Sequence, residues 1–222
     1  MKVLVAASLF LLGSVPFVAQ ASESTPAAAP AKAAAHSPQT NSSNIGFSYS
    51  LPAEWESVPE PQPAAPSPEV VQNPKLAIVK KGTACTQIAF TAKHGTPPSI
   101  VVIVVLPFAC YGQTMTAADL PGFGAGAAEE LKETFDVAAA PVQANYSLGS
   151  HSVWIERAKV TPKGHPESEY TFEMVCTVLE KGAACWMAMA ADDASLRIFE
   201  QAPTVLEGDL PAALVPPTAF DK

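Results

Sequence analysis

Four cysteines, Cys85, Cys110, Cys176 and Cys185, constrain this chain more than any other feature it carries. Of the three ways to pair them, two would cross-link distant hairpins and one would close each hairpin on itself. No two of them have the two-residue spacing of a zinc knuckle or a thioredoxin-like site. In an exported chain an even count reads as disulfides; the alternative is four free buried thiols. Directly opposed residues of an antiparallel hairpin have position numbers that sum to a constant. For Cys85 and Cys110 the sum is 195, which centres a turn between Pro97 and Pro98, inside His94-Gly95-Thr96-Pro97-Pro98-Ser99. For Cys176 and Cys185 the sum is 361, which centres a turn between Glu180 and Lys181. A four-residue loop from Leu179 to Gly182 fits there, with Gly182 in the left-handed position. Opposed residues lie about 4.5–5.5 Å apart, within disulfide reach. The expected bridges are Cys85–Cys110 and Cys176–Cys185.

Export is read from the N-terminus. Met1-Lys2 is followed by an apolar run from Val3 to Leu12 and by Ala19-Gln20-Ala21. A basic start, an apolar core and a small-x-small site make residues 1–21 a signal peptide cleaved after Ala21. The apolar core is about half the length of a spanning helix, which sets aside the rival reading of an uncleaved anchor. No cysteine stands near the cleavage site, which argues against a lipoprotein. Cleavage removes Lys2 and no acid, taking the formal net charge from −8 to −9. The longest basic run is Lys80-Lys81. Nucleic acids and anionic membrane surfaces call for basic clusters, so neither is an expected partner.

Residues 22–44 are rich in Ala, Pro, Ser and Thr and read as a disordered linker. The domain is placed at 45–206, with a Pro-rich insertion at 59–74 and a C-terminal tail at 207–222. Phe47, Tyr49 and Leu51 alternate with serines, the pattern of a half-buried strand. Cys85 to Ala92 reads as a strand with Ile88 and Phe90 on one face. Ile100 to Leu106 is apolar on both faces and β-branched, a central strand covered on both sides. Leu120, Phe123, Ala127, Leu131 and Phe135 share one face of a helix, opened by a capping box at Thr116 and Asp119. Two hairpins follow, Val142–Tyr146 with Val153–Val160, then Tyr170–Val178 with Cys185–Ala190. Asp193 caps a last helix carrying Leu196, Ile198 and Phe199, and a final strand is placed at Thr218–Phe220. The fold class is α+β, an antiparallel sheet flanked by helices.

Gly46-Phe47-Ser48-Tyr49-Ser50-Leu51-Pro52 with Trp55, the amphipathic helix before Phe135, and Cys185-Trp186-Met187-Ala188-Met189-Ala190 leading to Asp193 and Phe199 resemble the PsbP-like superfamily. The resemblance covers most of 45–206 and extends to uncharacterised exported bacterial proteins. It implies an α/β/α sandwich, and accessory or binding roles more often than catalysis. It implies no shared catalytic residues. The Pro-rich insertion after Trp55 departs from its compact form.

Catalytic signatures are weak. Gly122-x-Gly124-x-Gly126 lacks the preceding strand and the wider last spacing of a dinucleotide fingerprint, and reads as small residues packing a helix close to a sheet. There is no Gly-x-Ser-x-Gly elbow, and Ser150, His151 and Ser152 read as a turn. His36 falls in the linker, and His94 and His165 in turns. Glu156, Glu167 and Glu169, read as loop carboxylates, could join a histidine at a surface metal site, against the commoner reading of scattered exposed residues. Asp192-Asp193 reads as a helix cap. No catalytic, metal or cofactor residue is assigned and no cofactor is expected; the only site residues are the four cysteines.

The expectation is a monomeric, non-enzymatic accessory or binding protein, periplasmic or secreted, whose partner is a protein or small ligand of the cell envelope. No stable membrane insertion is expected. The rival readings are a periplasmic hydrolase with an unrecognised site and an envelope spacer.

Overall fold

The computed structural model describes residues 39–42, 44–59 and 85–221. The expected signal peptide, most of the expected linker and nearly all of the Pro-rich insertion lie outside them.

The main sheet is antiparallel and runs in the order β3 (Glu56–Ser57), β4 (Gln87–His94), β5 (Ser99–Pro107), β10 (Gly182–Ala190), β9 (Tyr170–Leu179) and β8 (His151–Pro162). Two strands share the outer side of β8: β7 (Val142–Leu148) and β6 (Phe135–Val137). A smaller sheet has the order β1 (Gln39–Ser42), β2 (Phe47–Ser50), β11 (Pro203–Leu206), β12 (Ala212–Ala213). The helices are α1 (Phe108–Tyr111), α2 (Leu120–Thr134) and α3 (Asp193–Gln201).

Alternation along the central strands builds two cores, one on each face of the main sheet. Ala184, Trp186 and Ala188 of β10 point to the first, with Ile103, Ile155 and Val175 from neighbouring strands. Phe47 and Tyr49 of β2, Phe199 of α3 and Leu206 of β11 close it from above. Cys185, Met187 and Met189 point to the second, where Leu120, Ala127 and Leu131 of α2 meet Trp154, Phe172 and Met174. The molecule is therefore a three-layer α+β sandwich. In β5, Val101, Ile103 and Val105 enter the first core while Ile100, Val102 and Val104 pack half-buried against the second, as expected of a strand apolar on both faces.

Several expectations are corrected. β2 belongs to the smaller sheet, because Phe47 and Tyr49 fill the first core by lying across the main sheet. Residues 39–42 of the expected linker form β1, paired with β2 from Gln39↔Ser50 to Ser42↔Phe47. The domain does not stop at 206: Leu214, Val215 and Ala219 are buried in the first core. The expected strand at 218–220 is a turn, with Ala219 N–H donating to Pro216 O. Asp192, not Asp193, caps α3, its carboxylate accepting from Ser195 N–H at 2.7 Å. The capping contact at Thr116 is present, with Asp119 Oδ2 accepting from Thr116 N–H at 2.8 Å.

The structure joins Cys85 to Cys110 and Cys176 to Cys185. The second bridge has the expected register, Cys185↔Cys176 and Gly182↔Leu179. The loop is shorter than expected, Glu180 and Lys181 alone, and Gly182 sits within β10. Gly182 answers to crowding, not to a left-handed backbone: a Cβ there would lie 2.8 Å from Leu106 O. The first hairpin is off the expected register. Its opposed positions, such as His94↔Ser99, sum to 193, not 195. A bulge between Ile88 and Phe90 adds a residue, and puts Ala89 beside Phe90 against the first core instead of Ile88. Cys110 lies in α1, beyond β5, and this turn of helix brings it within 5.5 Å (Cα–Cα) of Cys85.

Candidate functional site

The deepest concentration of charge lies in the first core. Glu173 stands mid-β9 among Phe172, Met174 and Val175, and is 0% exposed. Directly across the ladder is Arg157 of β8. Its Nε donates to Glu173 Oε2 at 2.6 Å, and its Nη2 donates to Glu200 Oε1 of α3. The ring of Phe220 stacks beneath the guanidinium at 4.5 Å. Val215 N–H donates to Glu200 O at 2.8 Å, and Tyr146 Oη donates to Leu214 O at 2.6 Å. One cation and two carboxylates thus tie β8, β9, α3 and the C-terminal segment together.

Burial dominates the electrostatics. Desolvation pushes Glu173 up to about 7, against the opposing pull of Arg157 and with a further push from Glu200. Glu200 is raised by its own desolvation, partly offset by Arg157 and Arg197. The Tyr49 and Tyr146 hydroxyls are raised by burial and by the nearby Glu173 charge. Among the described residues Glu173 Oε1 has no hydrogen-bond partner, nor have the buried indole nitrogens of Trp55 and Trp186.

A second cluster closes one end of the sandwich. Asp209 Oδ2 accepts from Ser150 N–H at 3.0 Å and from Ser150 Oγ at 3.3 Å. His151 Nε2 lies 3.7 Å from that same oxygen and 3.7 Å from Glu207 Oε2. A hydrolase triad places the histidine between serine and acid. Here the serine bonds the acid directly, which anchors the loop after β11.

The carboxylates read as loop residues separate. Glu156 is in β8, buried on the second-core face, with its carboxylate accepting from Gln143 Nε2 at 2.5 Å and raised by burial. Glu167 and Glu169 are exposed, 3.4 Å from His165 Nδ1 and 3.5 Å from Lys159 Nζ respectively. His94 is at the end of β4, its ring stacked on Trp55 at 5.5 Å. His36 lies outside the described residues. Among the described residues no three His, Cys, Asp or Glu side chains group to hold a metal ion. Gly124 does what small residues on a helix were expected to do: a Cβ there would lie 1.8 Å from Trp154 Cη2. Sequence reasoning missed the Arg157–Glu173–Glu200 cluster. The available signal was a single acid inside an otherwise apolar alternation, Tyr170 to Val178.

No family model and no curated protein matches the chain. Among solved structures it is similar to the PsbP of Synechocystis sp. PCC 6803, at 11% identity and a TM-score of 0.44, over 75% of this chain and 87% of that one. It is also similar to LpqN, involved in cell envelope biogenesis of Mycobacterium tuberculosis, at 15% identity and a TM-score of 0.39, over 73% and 84%. The first of these bears the family name that the sequence pattern resembles. Neither likeness carries an activity or a site residue to this chain.

Proposed function

We propose that this chain is an exported accessory protein, periplasmic or secreted, that acts by binding a protein or small ligand of the cell envelope and not by catalysis. The observation that carries the reading is the sealing of its most perturbed acid. Catalytic acids and bases need shifted affinities for protons, but they must also reach a substrate. Glu173 has the shift and is 0% exposed, closed in by Arg157, Glu200 and the C-terminal segment. Its energy goes into holding the sandwich shut. The second cluster likewise spends Ser150 and Asp209 on each other. Two disulfides support an oxidising compartment. No helix among the described residues is long and apolar enough to cross a membrane.

The test has two arms. Purified mature protein should leave ester, phosphate, peptide and glycoside reporters unhydrolysed. Turnover abolished by Ser150→Ala or His151→Ala would establish the hydrolase reading instead. Immobilised mature protein should retain a specific envelope component that binds again when both are pure. Binding that disappears when residues 22–38 alone are removed would favour the spacer reading.

A further inference from the structure

The two disulfides stand in different surroundings. Cys176–Cys185 joins directly opposed positions of the central strands β9 and β10, and its cysteines are 0% and 1% exposed. Separating those sulfurs means parting a ladder that is buried on both faces. Cys85–Cys110 lies beyond the β4–β5 ladder, which ends at Gln87↔Val105, short of both cysteines. Cys85 is 2% exposed. Cys110 is exposed and belongs to α1, a single helical turn that buries none of its four residues. One sulfur of this bridge is therefore carried on a segment that can shift without uncovering the core. The neighbouring residues hold that segment close. Thr86 Oγ1 and Tyr111 Oη are hydrogen-bonded at 2.7 Å, and Phe108 N–H donates to Lys181 O at 3.0 Å.

We propose that Cys85–Cys110 is a thiol–disulfide exchange site whose partner is a protein carrying a vicinal dithiol. Thiolates attack the disulfide sulfur they can reach, and buried sulfurs are inert toward them. The partner's thiolate attacks Sγ of Cys110. A new S–S bond forms there as the Cys85–Cys110 bond breaks. The electron pair of the broken bond leaves on Sγ of Cys85, which takes up a proton. Cys85, 2% exposed beside Cys110, is placed only to reverse this step. Release must therefore come from the partner's side, which is why a dithiol fits and a monothiol does not. The partner's second thiolate attacks its own sulfur of the mixed disulfide, and Cys110 leaves and is protonated. The bridge ends as a pair of thiols and the dithiol as a disulfide, so this protein is reduced and the partner oxidised. The oxidised partner runs the same steps backwards. The Thr86–Tyr111 bond keeps the two thiols adjacent and favours reclosure. Cys176–Cys185 stays bridged throughout and keeps the second core intact. The site works independently of any envelope ligand the protein holds.

The exported full-length chain, oxidised and folded, is incubated in dithiothreitol without denaturant, alkylated at intervals and mapped by peptide mass spectrometry. Alkyl groups should appear together on Cys85 and Cys110, and at least about 100-fold more slowly on Cys176 and Cys185. The circular dichroism spectrum should not move, and removing the reductant in air should restore Cys85–Cys110. A second measurement uses a thioredoxin-type protein whose second active-site cysteine is replaced by serine. It should be caught as a mixed disulfide on Cys110. Cys110→Ser leaves Cys85 as the lone thiol and Cys85→Ser leaves Cys110; the first should alkylate about tenfold more slowly than the second. Loss of both bridges at one rate overturns the proposal, as does reduction that collapses the spectrum. So does a trapped adduct on Cys85, or no adduct at all.

Discussion

The two faces of the main sheet are closed by different means. Among the described residues the second face is covered by one helix, α2, which enters directly from the chain ahead of β6 and lays Leu120, Ala127 and Leu131 on Trp154 and Met174. Apart from Glu156 at its edge, that layer is oily, with Cys176–Cys185 built into its floor. The first face is covered by pieces from both ends of the chain: β2, α3, β11 and the segment through Phe220. It is also where the half-buried Arg157 and Glu200 close over the buried Glu173. Apolar packing alone is non-directional and tolerates sliding. A lid assembled from separate segments needs something that fixes each piece to a point. The ion cluster reaches β8, β9, α3 and the C-terminal segment at once, so we read it as what sets the position of the first lid. The second lid, a single helix, needs no such fixing.

Arg157→Met is the harshest way to break that contrast. It keeps the bulk and removes the cation that bonds both the buried Glu173 and the half-buried Glu200. Glu173 already stands near 7, so it takes up a proton when its cation is removed, and the cost is that of buried groups left without a partner, about 1–3 kcal/mol. Arg157→Lys should recover part of it, and incompletely, because an ammonium lacks the planar fork that reaches both acids. Chemical denaturation at neutral pH measures both. A cost under about 1 kcal/mol for the methionine variant would mean that packing alone holds the first lid.

Sequence pattern carried the second face better than the first. The α2 stripe, the capping contact at Thr116 and the register of Cys176 and Cys185 are local features, each written within about twenty residues. The first lid is not local. Tyr49 donates a hydrogen bond to Phe199 O across 150 positions, and β2 pairs with β11, which periodicity cannot announce. The tail read from its prolines and small residues turned out to carry Leu214, Val215 and Ala219 into the core. The bulge at Ala89 shifted a hairpin register that arithmetic on ideal ladders could not foresee. The ion cluster was invisible for a related reason. Glu173 looks like an interruption in a strand until the ladder sets Arg157 opposite and α3 brings Glu200 down.

The same cluster should write itself into the pH dependence of stability. Glu173 is raised from the model-compound value of 4.5 to about 7 in the folded protein. Between those two values the folded chain holds a proton that the unfolded chain has released. Stability is therefore fully present below about pH 4.5 as far as this group is concerned, and is lost as pH rises through about 7. Glu200 and Glu156 are raised as well and act in the same direction. The groups facing Glu173 are Arg157, Glu200, Tyr49 and Tyr146, and neither tyrosine ionises in this range. A loss on the order of 2 kcal/mol is expected across the window. Glu173→Gln, which cannot release a proton, should flatten most of it. Denaturation midpoints taken at half-unit steps decide; a wild-type curve rising through the window would place an ionised Glu173 in the fold.

The smallest effect tests the second face by its closest approach. Gly124 lies in the middle of α2, where replacing glycine with alanine ordinarily stabilises a helix by about 1 kcal/mol. Here the new Cβ would stand 1.8 Å from Trp154 Cη2 and 2.4 Å from Cζ3. The indole cannot yield easily, since Trp154 is 1% exposed and packed in the second core, its strand position opposed to Cys176. Overpacking of this kind costs about 1–3 kcal/mol. The clash should win, leaving Gly124→Ala destabilised by about 1–2 kcal/mol. Gly122→Ala is the matched control on the same helix, because a Cβ there meets nothing within 4 Å. It should be neutral or slightly stabilising. If the two alanines behave alike, helix propensity governs α2 and its seat on the sheet is loose. If only Gly124→Ala is destabilised, the single helix is held by shape, as the first lid is held by charge.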